Sequence, residues 1–515
     1  MNFAANKKSS PNTNYNREKA RRRGKPSALS GRLRMRRASA FFTAICPKPP
    51  ETASQPWPGD SSGRGKAGEG SLGGRRGGLT PPAAGIFSQG AVGTCAAAPK
   101  GDDFLRKLAR CIAAVVDCCM AAVLLLTIYI QGQLPNQYSV VAGEEISFTS
   151  AYPIEMVHTS DTTDAQVYSS VGNSYQMDLK LLGLIPVKTV EVNVVDRKMV
   201  TVSGAPFGIK MFTDGLMVVG MSDIPTQEGR ANPAKSAGIQ VGDILETFNG
   251  VKLATNEQLA ELMAENGGNP IRVQVKRDQS AFDTEIHPVR STGDDQYRLG
   301  VWVRDSSAGI GTMTYYDQNS GLFTGLGHAV CDVDTGDIMP LSNGEVVPAQ
   351  ITGCKKGEAG NPGELKGKFT EDASLGTLAA NTSSGVYGLL YSRNLYLGEQ
   401  VPVAMKHEVK TGKAYIYTTL EGTVPQKYEI EIEKLVMNEG EAGQNMVIHV
   451  TDPVLLEKTG GIVQGMSGSP IIQDGMLVGS VTHVFVKDPT RGFGIFAENI
   501  LNNAKNVLFS IKKAS

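Results

Sequence analysis

Gln464-Gly465-Met466-Ser467-Gly468-Ser469-Pro470-Ile471-Ile472 is the stretch on which the fold turns. Glycines on both sides of one serine let the backbone take shapes that a side chain would hinder. N–H groups can therefore be turned toward one point beside a hydroxyl. A turn at Gly475 and the strand-like run Leu477-Val478-Gly479-Ser480-Val481 follow, which is a β-rich setting. In such a loop the Ser467 hydroxyl is a candidate nucleophile, and the N–H groups of Gly465 and Ser467 are candidate oxyanion donors. Losing one such donor costs about 10²–10³ in rate.

A hydroxyl is a poor nucleophile without a base, and the chain holds only six histidines: His158, His287, His328, His407, His449 and His483. His328 is the best placed, in the glycine-punctuated strand end Phe323-Thr324-Gly325-Leu326-Gly327-His328-Ala329-Val330. Together the two stretches resemble the base-bearing and nucleophile-bearing segments of chymotrypsin-like serine proteases. That resemblance implies a double β-barrel with His328 as base and Ser467 as nucleophile. The residues alone leave the orienting acid open among Asp332, Asp334, Asp337, Asp372 and Asp452. Met466 stands where trypsin-like zymogens keep an aspartate for a newly freed N-terminus, so that activation route is closed. His483 is expected on the strand bordering the first specificity pocket, as a pocket residue or a packed barrel histidine.

Upstream, Asn232-Pro233-Ala234-Lys235-Ser236-Ala237-Gly238-Ile239-Gln240-Val241-Gly242-Asp243-Ile244-Leu245-Glu246-Thr247-Phe248-Asn249-Gly250 resembles the central stretch of bacterial PDZ domains. A helical turn closes on Gly238, Gly242-Asp243 leads into a strand, and Asn249-Gly250 is a strong hairpin signal. Thr255 and Gln258 then cap a helix whose Leu259, Leu262 and Met263 share one face. By this resemblance Phe207, Gly208 and Ile209 form the peptide-carboxylate loop of a groove that accepts an added strand.

At 515 residues the chain is long enough for two or three domains. Residues 1–40 hold twelve Lys or Arg against the single Glu18, while residues 135–515 hold 30 basic and 44 acidic side chains. The basic stretch lacks aromatic interleaving and reads as a solvated tail, not a nucleic-acid surface. The Gly-, Pro-, Ala- and Ser-rich run after it cannot bury a core. Cys111–Ile130 is apolar over a length that crosses a bilayer, and Arg106, Lys107 and Arg110 precede it. The positive-inside bias puts the residues that follow outside the cytoplasm, behind an uncleaved anchor. Cys331 and Cys354 are the two cysteines in the globular part, enough for one bridge, and no metal-spaced cluster exists.

The order of the anchor, Leu-Gly-Leu-Ile-Pro-Val-Lys at 182–188, Pro-Phe-Gly-Ile-Lys at 206–210, the PDZ core, Gly-Leu-Gly-His at 325–328 and Gly-Gly-Ile-Val-Gln-Gly-Met-Ser-Gly-Ser-Pro at 460–470 resembles the stage IV sporulation protein B (SpoIVB) peptidases over roughly 104–515. The resemblance implies a mainly β chain: a tail over 1–103, a transmembrane helix over 104–131, a small β-rich region over 132–200, a PDZ domain over 201–295 and a double-barrel peptidase over 296–515. It puts base, acid and nucleophile on His328, Asp452 and Ser467. It implies self-cleavage, a membrane-bound regulatory protein as substrate, a peptide ligand for the PDZ domain, and release of sigma-factor activation in the mother cell. Serine, imidazole and backbone amides require no cofactor. An α/β-hydrolase would need Gly-x-Ser-x-Gly, but position 469 is serine; a zinc peptidase would need His-Glu-x-x-His, but Thr411 follows His407-Glu408. The rival reading is an inactive PDZ-bearing scaffold.

Overall fold

The computed structural model describes residues 101–144, 146, 153–159, 170–370, 373–392, 398–437 and 443–514. The basic tail with Cys46 and Cys95, and Asp372, lie outside the described residues. Strands of four residues or more are numbered here in chain order.

Helix α1 (Gly101–Gln133) contains a 28-residue span, Arg106–Gln133, apolar and long enough to cross a membrane. Leu124 and Leu125 stand exposed on it, while Ile130 at its end is fully buried. Ile130 packs into a four-stranded sheet of β1 (Gln137–Val141), β2 (Ile154–His158), β3 (Ser174–Leu181) and β4 (Ile185–Val195), in the order β1-β4-β3-β2. The alternation of Val190, Val192 and Val194 with polar residues buries one face of β4. Ser139 Oγ donates to the buried carboxylate of Glu498 at 2.7 Å, which ties this sheet to the far end of the chain.

After β5 (Met199–Val202) come two domains that share strands. β6 (Pro206–Met221) and β10 (Val301–Tyr316) are both 16 residues long and pair from Pro206 to Met221 against Thr312 to Val301. Their outer halves belong to the PDZ domain, with β7 (Ile244–Phe248), β8 (Ile271–Arg277), β9 (Ser280–Ile286), α2 (Pro233–Ser236) and α3 (Asn256–Asn266). Leu216, Leu245, Phe248, Leu259, Val273, Ile286 and Leu299 form its core. Thr255 caps α3 by accepting the Gln258 N–H at 3.1 Å, and Gln258 returns the bond to the Ala254 N–H. Asn249 and Gly250 both have positive φ, as the hairpin between β7 and the next segment requires.

The inner halves of β6 and β10 close a six-strand ring with β11 (Leu322–Gly325), β12 (Asn343–Lys355), β14 (Gly376–Thr382) and β15 (Gly385–Leu390), while β13 (Glu364–Phe369) pairs on β12. This is the first barrel. The second is closed by β16 (Gly412–Thr418), β17 (Gln426–Leu435), β18 (Met446–Val450), β21 (Asp488–Phe496), β20 (Met476–Phe485) and β19 (Pro470–Gln473), in that order. α4 (Pro453–Thr459) leads to the Ser467 loop, and α5 (Ala497–Ala514) packs Ile500, Leu501 and Ala504 against Val200, Tyr387 and Leu477.

Two expectations are corrected here. Phe207, Gly208 and Ile209 are not a peptide loop: Phe207 and Ile209 are buried in the first barrel, and Gly208 pairs with Ile310 on one side and Val347 on the other. A segment hydrogen-bonded along both edges has none to offer an added strand. Cys331 and Cys354 are free thiols rather than a bridge.

Candidate active site

β11 ends at Gly325, where Leu326 and Gly327 both take φ +67° and swing His328 between the barrels. A Cβ at Gly327 would lie 2.6 Å from Ser480 Oγ, so only glycine permits this approach. His328 is 3% exposed. Its Nδ1 lies 2.8 Å from the Ala329 carbonyl. A carbonyl can only accept, so Nδ1 carries the proton and Nε2 the lone pair. Nε2 is buried with no hydrogen-bond partner among the described residues. Burial, reinforced by the neighbouring His483, lowers the His328 pKa to about 4, so the ring is neutral at ordinary pH.

His483 lies on β20, its ring centroid 4.9 Å from that of His328. The preceding residue, Thr482, offers its carbonyl to the Ser467 hydroxyl at 2.6 Å. The structure therefore gathers His328, Ser467 and His483 around Thr482, with the Ser467 hydroxyl turned to that carbonyl and not bonded to Nε2.

Around Ser467 the N–H groups of Met466, Gly468 and Ser469 donate to Val463, Val481 and Met466 carbonyls. Those of Gly465 and Ser467 donate to no carbonyl among the described residues, as an oxyanion site requires. The Gln464 carbonyl accepts from Leu365 N–H at 2.8 Å. Planarity then points the Gly465 N–H the opposite way. Gly465 and Gly468 have φ +96° and +94°.

The structure does not bring Asp452 to the base. Its carboxylate caps α4, accepting from Val454 and Leu455 N–H at 2.9 and 3.1 Å, and also from Glu429 N–H at 3.2 Å. Asp332 is buried and pairs with Arg304, which also holds Asp334 at 2.7 Å. No carboxylate is hydrogen-bonded to His328 among the described residues, and no group of three or more His, Cys, Asp or Glu is placed to hold a metal. Thr482 and Thr312 went unnoticed in the sequence. Thr312 carried a signal: small residues in Ala308-Gly309-Ile310-Gly311-Thr312 mark a place where other backbone comes close.

Residues 295–501 match the SpoIVB peptidase S55 family, and residues 227–277 match a PDZ domain. The chain is a serine peptidase with a PDZ domain, and the S55 likeness covers its C-terminal two barrels from residue 295 onward. No curated protein matches it significantly. Among solved structures this serine peptidase is similar to the PDZ domain of the SdrC-like protein of Listeria monocytogenes, at 13% identity over 18% of this chain and 87% of that one, with a TM-score of 0.14. It is also similar to the active form of the Rv3671c protease of M. tuberculosis, at 14% identity over 38% and 72% with a TM-score of 0.25. A third is the HtrA-type protease AlgW with decapeptide, at 13% identity over 40% and 54% with a TM-score of 0.25.

Proposed function

We propose that this serine peptidase is an extracytoplasmic signalling endopeptidase of sporulation, held by α1 in a membrane, which cuts itself and then a membrane-bound regulatory protein whose loss triggers sigma-factor activation in the mother cell. The observation that carries the chemistry is a buried, neutral His328 with an Nε2 unpaired among the described residues, beside a Ser467 loop whose Gly465 and Ser467 N–H groups donate to no carbonyl there and can donate to an oxyanion. The family match and the apolar N-terminal helix support the setting.

Ser467 Oγ leaves the Thr482 carbonyl and passes its proton to His328 Nε2 as its bond to the scissile carbonyl carbon forms. The carbonyl oxygen becomes an oxyanion facing Gly465 and Ser467 N–H. His328 then hands the proton to the leaving amine as the C–N bond breaks, and water repeats the cycle on the acyl-enzyme. During each transfer the Ala329 carbonyl keeps the ring oriented. His483, beside His328, borders the side chain that precedes the cut bond. The PDZ peptide lies along β10 between Val301 and Asp305, a stretch that pairs only with β6 among the described residues. There Leu262 and Met263 of α3 and Val301 and Val303 of β10 are half-buried around one core.

The test uses full-length protein in detergent, with N-terminal sequencing of any shortened product. Parent protein is expected to react with a fluorophosphonate and to trim itself in the segment following α1, and Ser467→Ala is expected to do neither. Trimming of the Ser467→Ala protein at the same bond would end the self-cleavage reading.

A further inference from the structure

We propose that Thr312 is a positioning residue for the peptidase reaction, holding the base loop and the nucleophile loop in register; this rests on the roles given above to His328 and Ser467. Thr312 lies on β10 and is 3% exposed. Each of its polar groups is committed to one of the two loops. Its N–H donates to the Ser467 carbonyl at 3.2 Å, and its hydroxyl donates to the Gly465 carbonyl at 2.7 Å. Its own carbonyl accepts the Leu326 N–H at 3.2 Å, two residues before His328.

Peptide planarity turns these bonds into constraints on the oxyanion site. The Gly465 carbonyl shares a plane with the Met466 N–H, and the Ser467 carbonyl shares one with the Gly468 N–H. Between them lies the plane that carries the Ser467 N–H. Thr312 holds the carbonyl of both flanking planes, so the middle one cannot turn without breaking a bond to β10. Two residues on, Thr314 repeats the pattern, its hydroxyl donating to the Gly468 carbonyl at 2.8 Å.

Glycine marks both approaches. A Cβ at Gly468 would run into the Thr312 carbonyl and the Leu326 N–H, and one at Gly325 would lie 3.0 Å from the same carbonyl. The two loops come from different barrels, and among the described residues Thr312 is the single one bonded to both of their backbones at this point. Nothing in the pattern calls for threonine as a barrel residue, since a valine would fill the same volume. The hydroxyl is explained by the Gly465 carbonyl alone.

Thr312→Val removes that hydroxyl while keeping shape, N–H and carbonyl, and Thr312→Ser keeps the hydroxyl. Steady-state kinetics on a reporter peptide cut by the parent enzyme, with the rate of fluorophosphonate labelling of Ser467, give the readout. The Val variant is expected to lose about 10- to 100-fold in kcat with KM little changed, and to label more slowly in proportion. The Ser variant is expected to recover most of the kcat. A folded Val variant with the parent's kcat and labelling rate overturns the proposal. If the Val variant does not fold, Thr312→Cys, a weak donor, is compared with Thr312→Ser: a deficit of about fivefold or more supports the clamp, and equal kcat overturns it. A parent enzyme that never labels at Ser467 fails differently, by removing the nucleophile on which the clamp is argued.

Discussion

The two barrels of this peptidase solve the same closure in different ways. The second is wound from six strands between Gly412 and Phe496, two three-strand meanders, β16-β17-β18 and β19-β20-β21, closed by β18 against β21 and β16 against β19. The first is interrupted: the chain leaves it along β6, builds the PDZ domain, and returns along β10. Strands that cross a domain boundary unbroken cannot hinge there as a loop does, so the PDZ core and the first-barrel core are joined through one ladder of two 16-residue strands. A bulge between Arg304 and Ser306 marks the crossing on β10. Below that bulge the strand meets the Ser467 loop; above it lies the edge facing α3. The PDZ domain and the first barrel thus share the backbone of β6 and β10, while the second barrel presents the Ser467 loop from strands of its own.

The largest expected effect concerns His328, which sits between the barrels with its ring beside His483. His328 sits in a site that lowers its pKa to about 4, by burial first and by His483 second. A base works only when neutral, so the acidic limb of kcat/KM is expected near pH 4, well below the ordinary histidine value of about 6.5. The sign for stability is the same. The folded state binds fewer protons than the unfolded one between these values, so this contribution is complete above pH 6.5 and is lost as pH falls toward 4. A pH–rate profile with its limb at 6.5 or above would mean that a carboxylate or water reaches the ring in the working enzyme.

A smaller effect separates barrel from groove at Gly208. A Cβ there would lie 2.5 Å from Phe369 and 2.6 Å from Val347, on the side of the strand opposite to Phe207 and Ile209, under β13. Gly208→Ala is expected to cost about 1–3 kcal/mol by overpacking, read as a lower midpoint in calorimetry. At Gly475, where a Cβ meets nothing within 4 Å, the only cost is that of φ +78°. If Gly208→Ala left stability intact and changed peptide affinity instead, the placement of this strand would be wrong.

The same contrast explains what the sequence could disclose. The Ser467 loop and the Gly327-His328 strand end were legible because glycines at fixed offsets from a reactive side chain have few other uses. The PDZ turn chemistry at Thr255–Gln258 and Asn249-Gly250 was legible because caps and hairpins are local. Pro206-Phe207-Gly208-Ile209 misled because a buried barrel strand and a PDZ loop strand share the same apolar, glycine-bearing pattern, and only pairing on both edges tells them apart. The partner of His328 Nδ1 was illegible in principle: any residue has a carbonyl, so Ala329 left no mark in the sequence.

Asp452 gives the finest test of how far the second barrel stands alone. In the structure its carboxylate serves that barrel: it caps α4 through Val454 and Leu455 and holds Glu429 N–H at the start of the strand beside it. Asp452→Ala removes an N-cap acceptor and is expected to cost about 1 kcal/mol, or roughly 2–4 °C in the thermal midpoint if the two barrels melt as a domain of about 200 residues. Asp452→Asn keeps a capping oxygen and should regain most of that loss. Both variants are expected to hold the parent's pH limb and most of its kcat, because the His328 ring is held through Nδ1 by the Ala329 carbonyl and not by Asp452. Replacing the acid of a Ser-His-Asp triad by asparagine lowers kcat by about 10⁴ with the geometry intact. An Asp452→Asn protein that melts with the parent and yet loses activity on that scale would show that the carboxylate reaches His328 in a working arrangement, and that the α4 cap opens to let it do so.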